Sequence, residues 1–577
     1  MKRRTVFILA ACVTAVVFGA VFVGAIALWL HHGQSSGSGG GSSWSSKQYL
    51  DVHLDGELPE QSPPALNSFF EKRPVSLRTV IQSLDRAAKD THVQSIVLRV
   101  DTLPDAGWGK IEELRAAVTR FRKAGKDAYA YLEFSGNKEY YLATACTKVY
   151  AVPNAILEIN GLSAEVMFLK NTLQKLGVEA QFVGIGKYKN APNQFTESGF
   201  TAPHREQMDA LLDSFFAEYV KGIAEARHLS PEAVRAILDE GPYDAREAER
   251  KGLLDGLLYR DQLDDLVKDA TRVTPAHYVK TASSSLGLGL RPKLALIYVV
   301  GEITLGRSHE DAFGSSGSAG SDTIAEAIRR AREDDDVKGI LLRVDSPGGS
   351  GTASDVIWRE VHLAQEKKPV VTSMGDYAAS GGYYVAMASD AIVAQPGTIT
   401  GSIGVFAGKF SLRGLYDKVG VTKETITRGR HADIFTEYRP WNAEERTKVQ
   451  GMMEAFYKEF VDKAATGRNH SFEEIHEVAQ GRVWSGSDAQ KHGLVDRLGG
   501  LETAIALLKE KAKIGAGEDV DVVVLPERKG LLETLFEQDD TLFESRLPQD
   551  VRTVLHWAAT LKDGVPSARV PFDVRVR

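Results

Sequence analysis

Val93–Asp101 reads VQSIVLRVD, and 244 residues later Val337–Asp345 reads VKGILLRVD. Each is a short run of β-branched and aliphatic residues closed by an aspartate, the pattern of a buried strand. Further matches keep nearly the same spacing on either side. The stretch from Tyr49, with Gly56, is matched by Leu294–Ile303, with Gly301; Tyr140-Tyr141 returns as Tyr383-Tyr384, and Ala248–Asp255 as Ala489–Asp496. An offset that drifts only from 245 to 241 means two copies of one domain with small deletions. Within each copy the strand-like runs alternate with amphipathic stretches such as Ile111–Lys123 and Thr323–Arg332. That alternation predicts α/β layers around a largely parallel sheet.

The boundary between copies falls near Ser283–Arg291. The expected layout is a cytoplasmic stub (1–5), a membrane anchor (6–30), a flexible linker (31–48), a first repeat (49–282), a second repeat (283–518) and a C-terminal appendage (519–577). Val6–Leu30 holds no charged side chain and, as a helix, would be about 37 Å long, more than a bilayer core. Its length favours a retained anchor over a cleaved signal peptide. Lys2, Arg3 and Arg4 precede it and a Gly/Ser-rich tether follows, so the positive-inside rule keeps the N-terminus cytoplasmic and the body outside. Leu9-Ala10-Ala11-Cys12 reads like a lipoprotein box, but the apolar run before Cys12 is short for such processing and continues well past it.

Seventy Lys plus Arg against 77 Asp plus Glu gives a net charge of -7 over 577 residues, with no basic stripe, which argues against a nucleic-acid partner. Two cysteines, Cys12 and Cys146, exclude a disulfide framework and a cysteine-rich metal site.

The chemistry is expected where the copies differ. In the second, Lys368–Ala388 reads as an apolar strand, a small-residue turn and a helix, with Ser380 at the turn. A serine there suits nucleophilic attack, because the Gly381 N–H at the helix start can hold the oxyanion that forms beside it. The double glycine of Ser346-Pro347-Gly348-Gly349-Ser350 offers a second donor through close backbone approach. The same features also fit a plain N-cap and a plain turn. The first copy has Asn137 in place of Ser380 and Thr102–Ala106 in place of the double glycine. Conversely, Lys189 of the first copy faces Ala432 of the second. A serine nucleophile needs a base, and a buried, neutral lysine can serve. If the copies meet about a pseudo-twofold axis, one supplies the serine and the other the lysine; a solvated surface lysine is the alternative.

At these residues the sequence resembles the signal peptide peptidase A (protease IV) family in its long two-repeat form. The resemblance runs from the anchor onward and is most specific in Met374–Tyr384, Arg343–Ser350, Thr400–Val405 and the Lys189 segment. It implies two tandem crotonase-like or ClpP-like α/β domains and a Ser-Lys dyad peptidase without metal or organic cofactor. Ser380 resembles the nucleophile, Lys189 the general base and Ser402 the serine that holds the lysine in place; Gly381, Gly348 and Gly349 resemble the oxyanion hole. The resemblance further implies a homo-oligomer, a tetramer in the form of a bowl, on the outer face of the cytoplasmic membrane. Its partners would be signal-peptide remnants and other apolar peptides. Asn190 and Pro192-Asn193-Gln194 depart from the usual residues around the base and bear on substrate preference.

Rival readings are a Ser-His-Asp hydrolase using His431, a crotonase-type acyl-CoA enzyme, and an inactive membrane-anchored scaffold that binds exported chains. Asp345 and Asp376 read as turn or cap residues. The tyrosine pairs and Cys146 read as core.

Overall fold

The computed structural model describes residues 47–62, 74–284, 291–309, 317–527 and 567–569. The anchor expected at 6–30, with Cys12, lies outside the described residues, and among these no helix is long and apolar enough to cross a membrane.

Each repeat builds a sheet of the same plan. In the first, β1 (Gln48–Leu54), β2 (Val93–Val100), β3 (Asp127–Ser135) and β4 (Lys148–Leu157) run parallel in that order. β5 (Glu179–Ile185) leaves this sheet, β6 (Tyr243–Asp244) and β7 (Gly256–Leu257) pair with β4, and β8 (Thr271–Val273) flanks β1. In the second, β9 (Lys293–Val300), β12 (Val337–Ser346) and β14 (Val370–Ala379) are parallel neighbours, followed by β15 (Ala391–Ala394) and β16 (Ile399–Gly401). β18 (Val483–Ser485) runs antiparallel to β16, β19 (Arg497–Leu498) pairs with β15, and β20 (Asp521–Leu525) flanks β9. β20 thus answers β8, although the residues from 519 on had shown no counterpart in the first copy; TRV and DVVVL share too little to reveal it.

The parallel strands carry continuous apolar runs because helices cover them. In the helix Trp108–Lys123, Ile111, Leu114, Val118 and Phe121 recur at helical spacing and are buried. Tyr140, Tyr141, Tyr383, Tyr384 and Cys146 lie in the cores, as the sequence suggests. Two 26-residue helices, Ala202–Arg227 and Ala443–Arg468, repeat the pattern further along and are N-capped by Thr201 and Asn442.

A third sheet joins the copies. Its order is β11 (Ser318–Gly320), β10 (Glu302–Thr304), β13 (Gly348–Ser350), β21 (Ser567–Arg569), β17 (Val405–Ser411) and then β5. First-copy β5 therefore adds to the edge of second-copy β17, antiparallel from Glu179–Ser411 to Ile185–Val405. A second seam is ionic. Asp376 on β14 accepts the N–H groups of Gly107 (2.7 Å) and Lys110 (2.8 Å), so it caps a helix of the other repeat. Lys110 Nζ lies 2.9 Å from Asp345 and 3.7 Å from Asp376, while buried Arg343 holds Glu60 through two bonds and Glu113 at 2.7 Å. The cap reading of Asp376 survives in this interdomain form. Asp345 needs correction, because its carboxylate is an ion-pair partner at the seam that also accepts the Tyr377 N–H.

Candidate active site

The turn after β14 forces an unusual backbone. Ser380 has φ 54° and ψ -111° at the start of the helix Gly381–Ala386. A non-glycine residue held there stores about 1–3 kcal/mol, which the surroundings must offset. Its N–H donates to the Gly401 carbonyl at 2.8 Å, and its own carbonyl accepts the Tyr384 N–H at 2.8 Å. Its side chain makes no capping bond to the helix. The plain N-cap alternative is thereby set aside.

Ser402 follows β16, also at positive φ, 51°. Its N–H donates to the Arg482 carbonyl at 2.7 Å. Lys189 comes from the loop that follows β5, the strand donated across the repeats. The Tyr188 N–H donates to the Gln480 carbonyl at 2.8 Å and ties that loop to the second copy. Gly481, at φ 78°, lies so close that a Cβ there would sit 2.6 Å from Lys189 Cα.

Lys189 Nζ ends 2.8 Å from Ser380 Oγ, 3.0 Å from Ser402 Oγ and 3.3 Å from the Ser402 carbonyl. All three residues are buried. Burial alone pushes the Lys189 amine well below its ordinary value. A neutral amine has two N–H donors and one lone pair. The two oxygens of Ser402 match the donors, and Ser380 Oγ–H can then donate to the lone pair.

The glycines fall on both sides of Ser380. Gly381 opens its helix, and a Cβ on Gly382 would lie 2.8 Å from the Ser346 carbonyl, so the β12 end approaches it closely. Gly348 and Gly349 form a short strand where the sequence suggested a loop or turn, and the Gly348 N–H donates to Ser346 Oγ at 3.1 Å. Sequence reasoning missed Ser346, although it stands inside the Arg343–Ser350 stretch; a serine two residues before a glycine N–H was the available sign. Asn137, where the first copy lacks the serine, accepts the Tyr219 hydroxyl at 3.0 Å and has become a structural bond. His431 faces Glu444 at 3.5 Å, outside this constellation.

Two α/β units with a buried serine at a strand-to-helix elbow define a hydrolase of the serine type. The sequence model described as Peptidase family S49 matches residues 120–274 and again 362–515, and the chain belongs to that family of serine peptidases. Among named relatives, "Serine protease SPPA, chloroplastic" of Arabidopsis thaliana is 37% identical over 487 residues, covering 82% of this chain and 71% of its own. "Protease 4" of Haemophilus influenzae is 29% identical, covering 82% and 80%, and "Protease 4" of Salmonella typhi is 31% identical, covering 76% and 72%.

Proposed function

We propose that the chain is a membrane-anchored serine endopeptidase in which Ser380 is the nucleophile and Lys189 the general base. The observation that carries this reading is the buried amine 2.8 Å from Ser380 Oγ, with no acid among the causes of its altered basicity. Neutral Lys189 takes the Oγ proton as Ser380 attacks the scissile carbonyl, while Ser402 holds the amine in line. The Gly381 N–H and the Gly348–Gly349 backbone receive the oxyanion. The resulting ammonium protonates the leaving amine, and the same lysine activates the water that releases the acyl group.

The substrates proposed are signal-peptide remnants and other apolar peptides, at the outer face of the cytoplasmic membrane with residues 6–30 as anchor. A homo-oligomer completes the proposal. In its support, the second-repeat counterpart of β5, residues 422–428, forms no strand and leaves Ile426 88% exposed, so a second copy can cover it.

Hydrolysis of an apolar fluorogenic peptide by wild type, Ser380→Ala and Lys189→Ala tests the dyad. Loss in both variants is expected. Retention of most of the rate by Lys189→Ala would move the base elsewhere.

A further inference from the structure

One short segment of the second repeat holds both sides of the lysine pocket. The Gln480 carbonyl accepts the Tyr188 N–H at 2.8 Å, and the Arg482 carbonyl accepts the Ser402 N–H at 2.7 Å. Between them the Gly481 N–H donates to the Ile403 carbonyl at 2.8 Å. Residues 480–482 therefore grip the residue before Lys189 at one end and its partner serine at the other.

A side-chain junction fixes that segment in turn. The Arg482 guanidinium carbon lies 4.8 Å from the centre of the Tyr188 ring and 4.4 Å from that of Trp484. Arg482 Nη1 donates to Glu206 Oε1 at 3.0 Å, and the Tyr188 hydroxyl donates to the same oxygen at 2.7 Å. Lys187 Nζ donates to the Tyr188 hydroxyl at 2.9 Å and stands 3.5 Å from Glu206. Glu206 belongs to the first-repeat helix Ala202–Arg227, so one carboxylate oxygen joins that helix, the lysine loop and the 480–482 segment. A planar guanidinium between two rings, with a charge-assisted bond at its edge, has few poses. An ion pair whose carboxylate is 47% exposed adds little to stability, so the contribution of this one lies in geometry.

The junction also falls where the copies differ. At the offsets that align the repeats, Tyr188 matches His431, Glu206 matches Thr447 and Arg482 matches Gly241. None of the three recurs in the other copy, the same asymmetry that marks Ser380 and Lys189.

We propose that Arg482 and Glu206 are positioning residues for Lys189: they clamp Tyr188 to the 480–482 segment, which holds Lys189 and Ser402 in one geometry and keeps water from the amine. The effect on rate rests on the peptidase reading, but the effect on the amine does not depend on turnover. Among the described residues Lys189 Nζ bonds only Ser380 and Ser402, so the clamp acts through the backbone. A displacement of about 1 Å is enough to matter, since one that size can cost about a hundredfold in rate.

The test uses the full chain with Arg482→Met, Glu206→Ala and Glu206→Gln; the half-exposed Glu206 keeps the test decisive should Arg482→Met fold poorly. On an apolar fluorogenic peptide, Arg482→Met and Glu206→Ala should each lower kcat about tenfold or more, with KM within about twofold of wild type. Glu206→Gln keeps an acceptor for both donors and should retain most of the rate. In the two damaging variants water reaches the amine, so the midpoint of the rise of kcat with pH should move up by about half a unit or more, toward the ordinary lysine value of about 10.4. The charged groups at the junction are Lys187, Glu206 and Arg482. A direct electrostatic effect would therefore shift the two variants in opposite directions, because one loses a cation and the other an anion.

A second readout needs no turnover. The gain in urea midpoint that Lys189→Met brings at pH 8 should shrink by about half or more in the Arg482→Met and Glu206→Ala chains, since a hydrated amine costs less to hold in the fold. A pH midpoint left in place in both variants, midpoints moving in opposite directions, or a full-sized Lys189→Met gain in both overturns the proposal. Wild type without turnover would count against the peptidase reading, and the urea measurement would then decide the clamp.

Discussion

Lys189 Nζ and Ser380 Oγ lie 2.8 Å apart although 191 positions separate them and they belong to different repeats. Neither repeat holds both groups, so the site exists only when β5 of the first copy is laid on β17 of the second. The two repeats differ at this point: the second carries the serine elbow, the first the lysine loop.

Keeping that amine buried has a stability cost with a definite pH dependence. An unfolded lysine holds its proton up to about pH 10.4, whereas burial favours the neutral amine in the fold. Below that pH the unfolded state binds the extra proton, so stability falls as pH drops, until the folded amine is protonated too. Lys189→Met, which keeps the volume, should be inactive yet more stable than wild type at pH 8. The gap should close as pH rises past 10.4, measured by urea unfolding.

Gly481 supports the lysine by leaving it room. Alanine there would meet Lys189 Cα at 2.6 Å and would also have to adopt φ 78°. Gly481→Ala is expected to cost about 1–3 kcal/mol of stability and to lower kcat at least tenfold, about 1.4 kcal/mol in the barrier. Steady-state kinetics beside a denaturation curve read both effects.

Lys110 neutralises the seam. Burial works against its charge, but Asp345, Asp376 and Glu60 outweigh burial and hold it protonated. Lys110→Met would leave Asp345 and Asp376 without their ion-pair partner, Glu60 keeping Arg343, and should destabilise the chain by about 3–5 kcal/mol, since one partner of a buried pair is removed. A melting temperature unchanged within 1–2 °C on calorimetry, far below the shift that loss implies, would mean that the seam does not hold the repeats together.

Glu112 gives the seam a second pH signature. Burial pushes its carboxyl up to about 8, while it accepts the Gly397 N–H at 2.7 Å. With the folded value above the unfolded one, wild type loses stability as pH rises from about 4.3 to about 8. Glu112→Gln keeps the acceptor without the titration. Its stability advantage over wild type should therefore grow across that range and level off above it, as urea midpoints taken at several pH values will show.

The two α/β units were legible because the repeat registers strand against strand, as with VQSIVLRVD and VKGILLRVD. Ser380 and Lys189 stood out for a physical reason: each has lost its counterpart in the other copy, at Asn137 and Ala432. Other features left little trace. Asp345 and Asp376 look like ordinary turn residues until Lys110 arrives from the other repeat, a long-range pairing that no local periodicity encodes. Gly348–Ser350 and Ser567–Arg569 are strands of three residues, too short to show alternation. The donation of β5 to β17 was also hidden, since edge-to-edge pairing uses main-chain groups that every sequence carries.

The most direct test of a lysine-activated Ser380 is the rate of covalent labelling by a fluorophosphonate across pH, with the modified residue found by peptide mass spectrometry. A single adduct on Ser380 is expected, forming faster as pH rises with a midpoint below 10.5, and forming at least a hundredfold more slowly in Lys189→Met, as loss of a general base requires. Labelling of Lys189→Met at the wild-type rate, or an adduct on another serine, would contradict the account.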